Sequence, residues 1–192
     1  MRRHDAHEHG GRRRHRRRDG PVATHKLNGV WGSGPSDVWV VGDGGTILRN
    51  QGSGFEPVVS GTQADLNDVW GVSATEVYFV GDGVALVYDG TSVKPAFTPT
   101  NFNGKAVNLW RIGGVGSNAW TGGSDGAVFK LASGGSWRSQ IPYESQGLTF
   151  TDAWAADATT AYVVLGGLAA GVWKHDASGF NQVVMPTETL TA

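Results

Sequence analysis

The sequence is dominated by a unit of about 40 residues that occurs four times, at residues 27–59, 66–97, 107–141 and 150–184. Three positions return with this period: an opening Trp, a second aromatic residue and a third apolar residue. In chain order they are Trp31, Trp70, Trp110 and Trp154; Trp39, Tyr78, Trp120 and Tyr162; and Phe55, Val93, Trp137 and Phe180. A repeat of this length is one supersecondary unit that buries its core only against its neighbours.

Each copy has the pattern of four short strands. Val38 to Val41 is a continuous apolar run, as expected for a strand that is covered on both faces. Residues 152–161 are rich in Ala and favour a helix locally, but the repeat alignment predicts strands there. For the first copy the predicted strands are Leu27–Trp31, Asp37–Val41, Thr46–Asn50 and Phe55–Val59.

Between the second and third strands, three copies carry an Asp-Gly pair and the fourth carries Gly166-Gly167. Such pairs tolerate positive φ at both turn positions, which a type I′ hairpin requires. A ring of these carboxylates would also suit a cation, but equivalent turns of different units lie too far apart to share one ion. We therefore predict structural turns and no metal site at Asp43-Gly44, Asp82-Gly83 and Asp125-Gly126.

Four antiparallel strands repeated every ~40 residues are typical of a β-propeller blade. The sequence predicts an all-β body over residues 21–192, with four four-stranded blades at about 27–65, 66–106, 107–149 and 150–192. The final Leu190-Thr191-Ala192 aligns with the start of the second copy, Leu66-Asn67-Asp68. We therefore expect an open or incomplete arc of a larger propeller, whose uncovered end faces favour association with a second copy.

The charge of the chain is divided unevenly. Residues 1–20 hold eight Arg, two Asp and one Glu (8 − 3 = +5), and the rest holds eight Lys and Arg against fourteen Asp and Glu (8 − 14 = −6). The sequence predicts a disordered Arg/His-rich tail over residues 1–20, because it has little apolar surface to bury. Three interpretations of this tail remain open. It is a basic arm that binds anionic polymers, a disordered extension without a role, or the product of a start codon assigned too far upstream. The weakly acidic body does not suit a nucleic-acid partner.

Several chemistries are excluded or unsupported. The chain has no Cys, which excludes disulfides, iron–sulfur clusters, Cys-ligated zinc and thiol catalysis. His25 and His175 have no partner at metal-ligand spacing, and neither a Ser-His-Asp arrangement nor a phosphate-binding loop is visible. No apolar run approaches ~18 residues, so no membrane-spanning helix is predicted. We predict no cofactor, no catalytic residue and a non-enzymatic protein.

The segment Val-Trp-Gly-x-Gly-x-x-Asp-Val-Trp-Val-Val-Gly-Asp-Gly-Gly-Thr-Ile-Leu at residues 30–48 resembles the blades of bacterial BNR-like and YVTN-like propellers. It particularly resembles repeats abundant in myxobacteria, and it is similar to the photosystem II assembly factor family. The resemblance covers residues 27–184. It implies a binding or scaffold module, with a protein or glycan partner, in a bacterial secreted or envelope protein, although no signal peptide precedes the repeats.

Two alternative functions, carbohydrate binding and glycoside hydrolysis, would each depend on particular residues. A lectin-like propeller would bind sugars on exposed Trp, for which Trp137 and Trp173 are better candidates than Trp31, Trp70, Trp110 and Trp154, which we expect between blades. A sialidase-like fragment would need an Asp-box and three convergent arginines. Residues 132–137 lack the Asp of that box, and the arginines of the body do not occupy equivalent places in the repeats: Arg49, Arg111 and Arg138.

Overall fold

The computed structural model describes residues 25–101, 103–132, 134–140, 147–167 and 170–184. The tail predicted at residues 1–20 and the C-terminal residues 190–192 lie outside these ranges. The described residues form four four-stranded antiparallel sheets, each with its strands in chain order. This confirms the all-β, four-bladed architecture predicted from the repeat.

The first sheet contains β1 (Leu27–Gly34), β2 (Asp37–Gly42), β3 (Thr46–Asn50) and β4 (Phe55–Pro57), and the second contains β5 (Leu66–Ser73), β6 (Glu76–Gly81), β7 (Val84–Tyr88) and β8 (Val93–Phe97). The third contains β9 (Leu109–Val115), β10 (Asn118–Gly123), β11 (Val128–Ala132) and β12 (Ser136–Ser139). The fourth contains β13 (Leu148–Ala155), β14 (Ala161–Gly167), β15 (Gly171–Asp176) and β16 (Gly179–Val184). Within the Ala-rich stretch, strands end at Ala155 and resume at Ala161, so packing against neighbouring sheets overrides the local helical tendency.

The sheets pack face to face in chain order, as blades do. One core cluster joins the first and second sheets, another joins the second and third, and another joins the third and fourth. Trp39 of the first sheet, for example, packs on Phe79 of the second with ring centroids 5.5 Å apart. Among the described residues no such cluster joins the fourth sheet to the first. The molecule is therefore an open arc of blades, as predicted.

Each inner strand has a β-bulge at the same place near its start, and β1 and β5 have a second register shift near their ends. The pairing of β1 with β2 skips Asn28, that of β5 with β6 skips Asn67, that of β9 with β10 skips Trp110, and that of β13 with β14 skips Thr151. A bulge leaves one residue unpaired and bends its strand. The four bulges thus place four unpaired residues at equivalent points around the axis of the arc.

The register corrects one member of the opening-Trp series. Trp31 pairs with Trp39, Trp70 with Tyr78 and Trp154 with Tyr162, but Trp120 pairs with Gly113. Trp110 lies three residues earlier, at the bulge, so its assignment to the series is wrong. The repeat pattern is misleading in the third copy because Trp110 lies close to the expected place, which Gly113 occupies instead.

The exposure of Trp137 and Trp173 is also opposite to expectation. Trp137 packs edge-on against Tyr78 of the preceding blade at 5.2 Å, and Trp173 stacks on Phe180 at 5.2 Å. The indole Nε1 atoms of both are buried. Trp173 lies on the third strand of its blade rather than the outermost one, and both rings belong to packing between blades.

The Asp-Gly turns share glycine but not one geometry. Only Asp125-Gly126 has positive φ at both residues, at 53° and 71°. Asp43 begins a short 3₁₀ turn (Asp43–Gly45), in which φ is positive at both glycines. Apart from Asp125, the residues with positive φ at these turns are glycines, because glycine has no Cβ to clash.

In the part of the chain that the structure describes, no helix is long and apolar enough to cross a membrane.

Candidate ligand-binding site at the axis

A cavity of about 500 Å³ lies where the four inner strands approach the axis of the arc. All four bulged residues line it: Asn28, Asn67, Trp110 and Thr151. Bulges are frequent beside functional sites because they redirect a side chain out of the regular pleat. In this arc the same irregularity, repeated four times, builds one concave surface from four separate blades.

Two of the bulged residues are held firmly by hydrogen bonds. The amide of Asn28 donates to Asp43 Oδ1 at 2.7 Å and to the carbonyl oxygen of Leu66 in the next blade at 3.0 Å. The amide of Asn67 repeats this arrangement with Asp82 Oδ1 at 2.9 Å and the Leu109 carbonyl oxygen at 2.9 Å. Each Asn therefore ties a turn of its own blade to the inner strand of the following blade.

The remaining wall of the cavity carries two cations and two hydroxyls. Lys26 and Arg111 line it together with Thr149 and Thr151. Arg111 is exposed, and its Nη1 donates to the Trp110 carbonyl oxygen at 2.9 Å. Trp110, which is 36% exposed, adds an aromatic surface. The cavity can therefore offer charge-assisted hydrogen bonds to an anionic group beside an apolar contact.

The carboxylate of Asp68 lies close enough to Arg111 to feel its positive charge. Asp68 is largely buried, and its Oδ2 accepts the backbone N–H of Ile112 at 3.0 Å, across the contact between the second and third blades. Burial raises the pKa of Asp68, against the opposing effect of its backbone hydrogen bonds and of the positive charge of Arg111. Asp68 therefore stabilises the contact between the second and third blades.

The three aspartates of the turns do not form one site. Asp43 and Asp82 hold the asparagines of the cavity, whereas Asp125 is partly exposed and lies 3.6 Å from the ammonium group of Lys105. No group of three or more His, Asp or Glu side chains suited to a metal ion occurs within the described ranges.

The three arginines of the body are also separated. Only Arg111 lines the cavity. Arg49 forms an ion pair of 2.8 Å with Asp37, donates to the Tyr88 hydroxyl at 3.0 Å and lies 4.4 Å from the ring centre of Trp39. Arg138 is exposed on β12, the outer strand of the third blade. The guanidinium of Arg49 thus joins the first two blades, and the three do not converge on one ligand.

The predicted site residues and the observed cavity overlap in Trp110 alone. Trp31 and Trp70 are partly buried between blades, and Trp154 is 65% exposed on the face of the fourth blade that no described blade covers. Asn28, Asn67, Thr151, Lys26 and Arg111 were not predicted. The repeated Leu-Asn-x-Val-Trp carried a signal for the two asparagines, because a polar residue returned at one place in an otherwise apolar strand.

Comparison with solved structures identifies the class of this fold. Over 88% of its length the chain superposes on 52% of a YCF48 chain, solved bound to a D1 peptide, with a TM-score of 0.56 and 15% identity. Over 85% of its length it superposes on 57% of YCF48 from Cyanidioschyzon merolae, with a TM-score of 0.54 and 14% identity.

A third similar structure is the extracellular domain of the hybrid two-component system BT3049 from B. thetaiotaomicron. The TM-score is 0.55 and the identity 13%, over 85% of this chain and 25% of that one. No family model and no curated protein matches the sequence. The protein is a β-propeller repeat protein, and it spans about half the length of the YCF48 chains.

Proposed function

We propose that this protein is a non-enzymatic binding module whose axial cavity takes an extended protein segment that carries a carboxylate. The observation that supports this most strongly is the convergence of four bulged residues, from four blades, on one cavity of about 500 Å³. A cavity of this size accommodates a few side chains of a bound segment.

The lining of the cavity favours an acidic group over a neutral one. Lys26 and Arg111 supply positive charge, and Arg111 can pair with a carboxylate through two parallel N–H donors. Trp110 lies next to Arg111 in the chain and supplies area for a neighbouring apolar side chain. A similar propeller, YCF48, has been solved with a D1 peptide, which supports the choice of a protein segment.

Selection from a library of random displayed peptides on the immobilised full chain tests the proposal. We expect enrichment of peptides that carry Asp or Glu next to an apolar residue, with binding reduced by about tenfold or more in Arg111→Ala and Trp110→Ala. Arg138→Ala is the matched control, because it removes an exposed arginine far from the axis. Absence of enrichment, or peptides that bind Arg111→Ala as well as the native chain, would contradict the proposal.

Carbohydrate binding is the second candidate, since the exposed face of Trp110 among amide and hydroxyl groups also suits a sugar ring. A glycan array probed with the native chain and Trp110→Ala separates the two functions. A glycosidase activity is less favoured, because the three arginines of the body do not share one cavity. A fluorogenic sialoside provides the test, and we expect no turnover.

A further inference from the structure

The front face of the fourth blade is defined by Trp154, Tyr162 and Val164, and no blade among the described residues covers it as the equivalent faces are covered. Trp39, Tyr78 and Trp120 occupy the position of Tyr162 in the earlier blades and are buried by the next blade, whereas Tyr162 is only half-buried. Val164 is 40% exposed, although Val41 and Val80 at its position are buried. Trp154 stacks on Tyr162 at 6.1 Å and remains open to solvent.

The back face of the first blade, defined by Val30, Val40 and Leu48, is the corresponding open face at the other end of the arc. Val30 is 68% exposed, although Val69 and Ile112 at its position are buried. Val40 and Leu48 are partly exposed, whereas their equivalents in the second blade, Phe79 and Leu86, are buried. Both end faces thus consist of residue types that the interior blades bury.

The two end faces are complementary because of the repeat. In every internal joint the front face of one blade packs on the back face of the next. Val164 and Val30 occupy the positions of Val80 and Ile112, which belong to one core cluster between the second and third blades. A front face of the fourth blade placed on a back face of the first would therefore form a fourth joint of the same kind.

A polar feature of the joint between the second and third blades has its aspartate repeated in the fourth blade. Asp68 Oδ1 accepts the N–H of Val69 at 2.9 Å, while its Oδ2 accepts the N–H of Ile112 in the next blade. Asp152 occupies the position of Asp68 and accepts the N–H of Ala153 at 2.9 Å. Its second oxygen is the group that would accept the N–H of Val30, the residue equivalent to Ile112, across a new joint.

We propose that two copies of this chain close one ring, with the front face of the fourth blade of each copy packed on the back face of the first blade of the other. The arc superposes on 52% and 57% of the YCF48 chains, so the missing part of such a ring is about the size of a second arc. Four blades from each copy make eight, within the range of about 4–8 that propellers adopt. Contacts between unlike faces give a closed assembly when the rotation returns to the start.

Sedimentation velocity of the full chain over about a thousand-fold range of concentration tests this proposal. We expect a species of twice the 20.3 kDa monomer mass that dissociates on dilution. Val164→Asp on the front face and Val30→Lys on the back face are each expected to weaken association by roughly tenfold or more. Val115→Asp is the control, since Val115 is an exposed strand valine of an interior blade.

Mixing Val164→Asp with Val30→Lys tests whether the front face of one copy packs on the back face of the other. A mixed pair contains one native joint and one joint that places the new aspartate opposite the new lysine, so the mixture is expected to regain the two-copy species. Circular dichroism at low concentration checks that each variant is folded, which we expect because both valines are exposed in the single chain.

Three outcomes would overturn the proposal. One is a native chain that stays monomeric over the whole range. Another is Val30→Lys pairing alone as well as the native chain does, which would mean that two front faces meet. The third is growth beyond two copies, which would mean that the joints form but the ring does not close.

Discussion

At the scale of single residues, glycine at the turns supplies backbone conformations that other residues adopt only with strain. Gly83 has φ of 72°, and a Cβ added there would meet no atom within 4 Å. The requirement for glycine at this place is therefore conformational and not steric. At Gly71, by contrast, φ is ordinary and an added Cβ would clash with the ring of Trp31, so the requirement there is steric.

Gly83→Ala is expected to lower the free energy of unfolding by about 1–2 kcal/mol, because the left-handed region is unfavourable for a residue with a Cβ. Gly34→Ala is the control, since Gly34 has no positive φ and open space at its Cβ. Urea unfolding of both variants measures the difference. Equal losses at the two sites would show that backbone strain is not the cause.

His175 provides a second effect at this scale. Burial lowers the pKa of His175, and the nearby charge of Lys130, whose Nζ lies 3.4 Å from His175 Nδ1, lowers it further. The ring of His175 also packs edge-on against Trp120 at 5.0 Å. The neutral imidazole is thus favoured in the folded chain.

We expect the stability of the protein to fall between about pH 7.5 and pH 5.5, because the unfolded chain binds a proton at the ordinary histidine pKa of ~6.5 while the folded chain resists it. The contribution of His175 is present above that value and is lost as the pH falls toward the lowered pKa. His175→Gln should make the dependence in this window shallower. Urea unfolding midpoints of the native chain and the variant, measured between these pH values, test this prediction. If the midpoint depends on pH equally in both proteins, His175 is not the cause of the pH dependence.

At the scale of strands, the bulged asparagines connect each inner strand to its own turn and to the next blade. Both N–H groups of the Asn67 amide have acceptors, which are Asp82 Oδ1 and the Leu109 carbonyl oxygen. Asn28 does the same one blade earlier. The Asp-Gly turns therefore contribute an acceptor as well as a backbone conformation.

Asn67→Asp replaces this donor by an acceptor of the same shape, facing the carboxylate of Asp82. We expect a loss of about 1–3 kcal/mol in the free energy of unfolding, because two acceptors lose their donor. Asn50→Asp is the matched control: Asn50 Oδ1 accepts the N–H groups of Gly52 and Gly54, and a carboxylate oxygen can do the same. Chemical denaturation of the two variants measures these free energies of unfolding. Equal losses in both would argue against a stabilising role for the hydrogen bonds that Asn67 donates to Asp82 and to the next blade.

At the scale of the whole molecule, the cost of a mutation depends on the position of its blade in the arc. Val41, Val80 and Val164 occupy one position in the first, second and fourth blades, but only the first two are covered by a following blade. The same side chain is thus a core residue in two blades and a surface residue in the third.

We expect Val41→Ala and Val80→Ala to cost about 2 kcal/mol each, from lost transfer free energy and the cavity left behind. Val164→Ala should cost well under ~1 kcal/mol in the single chain. The measurement is urea unfolding at a protein concentration at which sedimentation shows only monomer. Three equal losses would mean that the front face of the fourth blade is covered within one chain.

The strands, the places of the Asp-Gly turns and the number of blades followed from the sequence because they depend on local patterns: apolar runs, Asp-Gly pairs and a period near 40 residues. The predicted type I′ geometry was found only at Asp125-Gly126. An open arc was also expected, and among the described residues no core cluster joins the fourth sheet to the first. These features need no knowledge of which distant residues meet.

The axial cavity and the exposure of each tryptophan were decided only by the tertiary structure. A one-residue bulge moved Trp110 out of the series of inner tryptophans and into the cavity, and no local pattern signals such a change of register. Trp137 and Trp173 are covered because blades stack face to face, while Trp154 is open because no described blade follows it. Composition and spacing specify each blade, but burial depends on what the next blade brings against it.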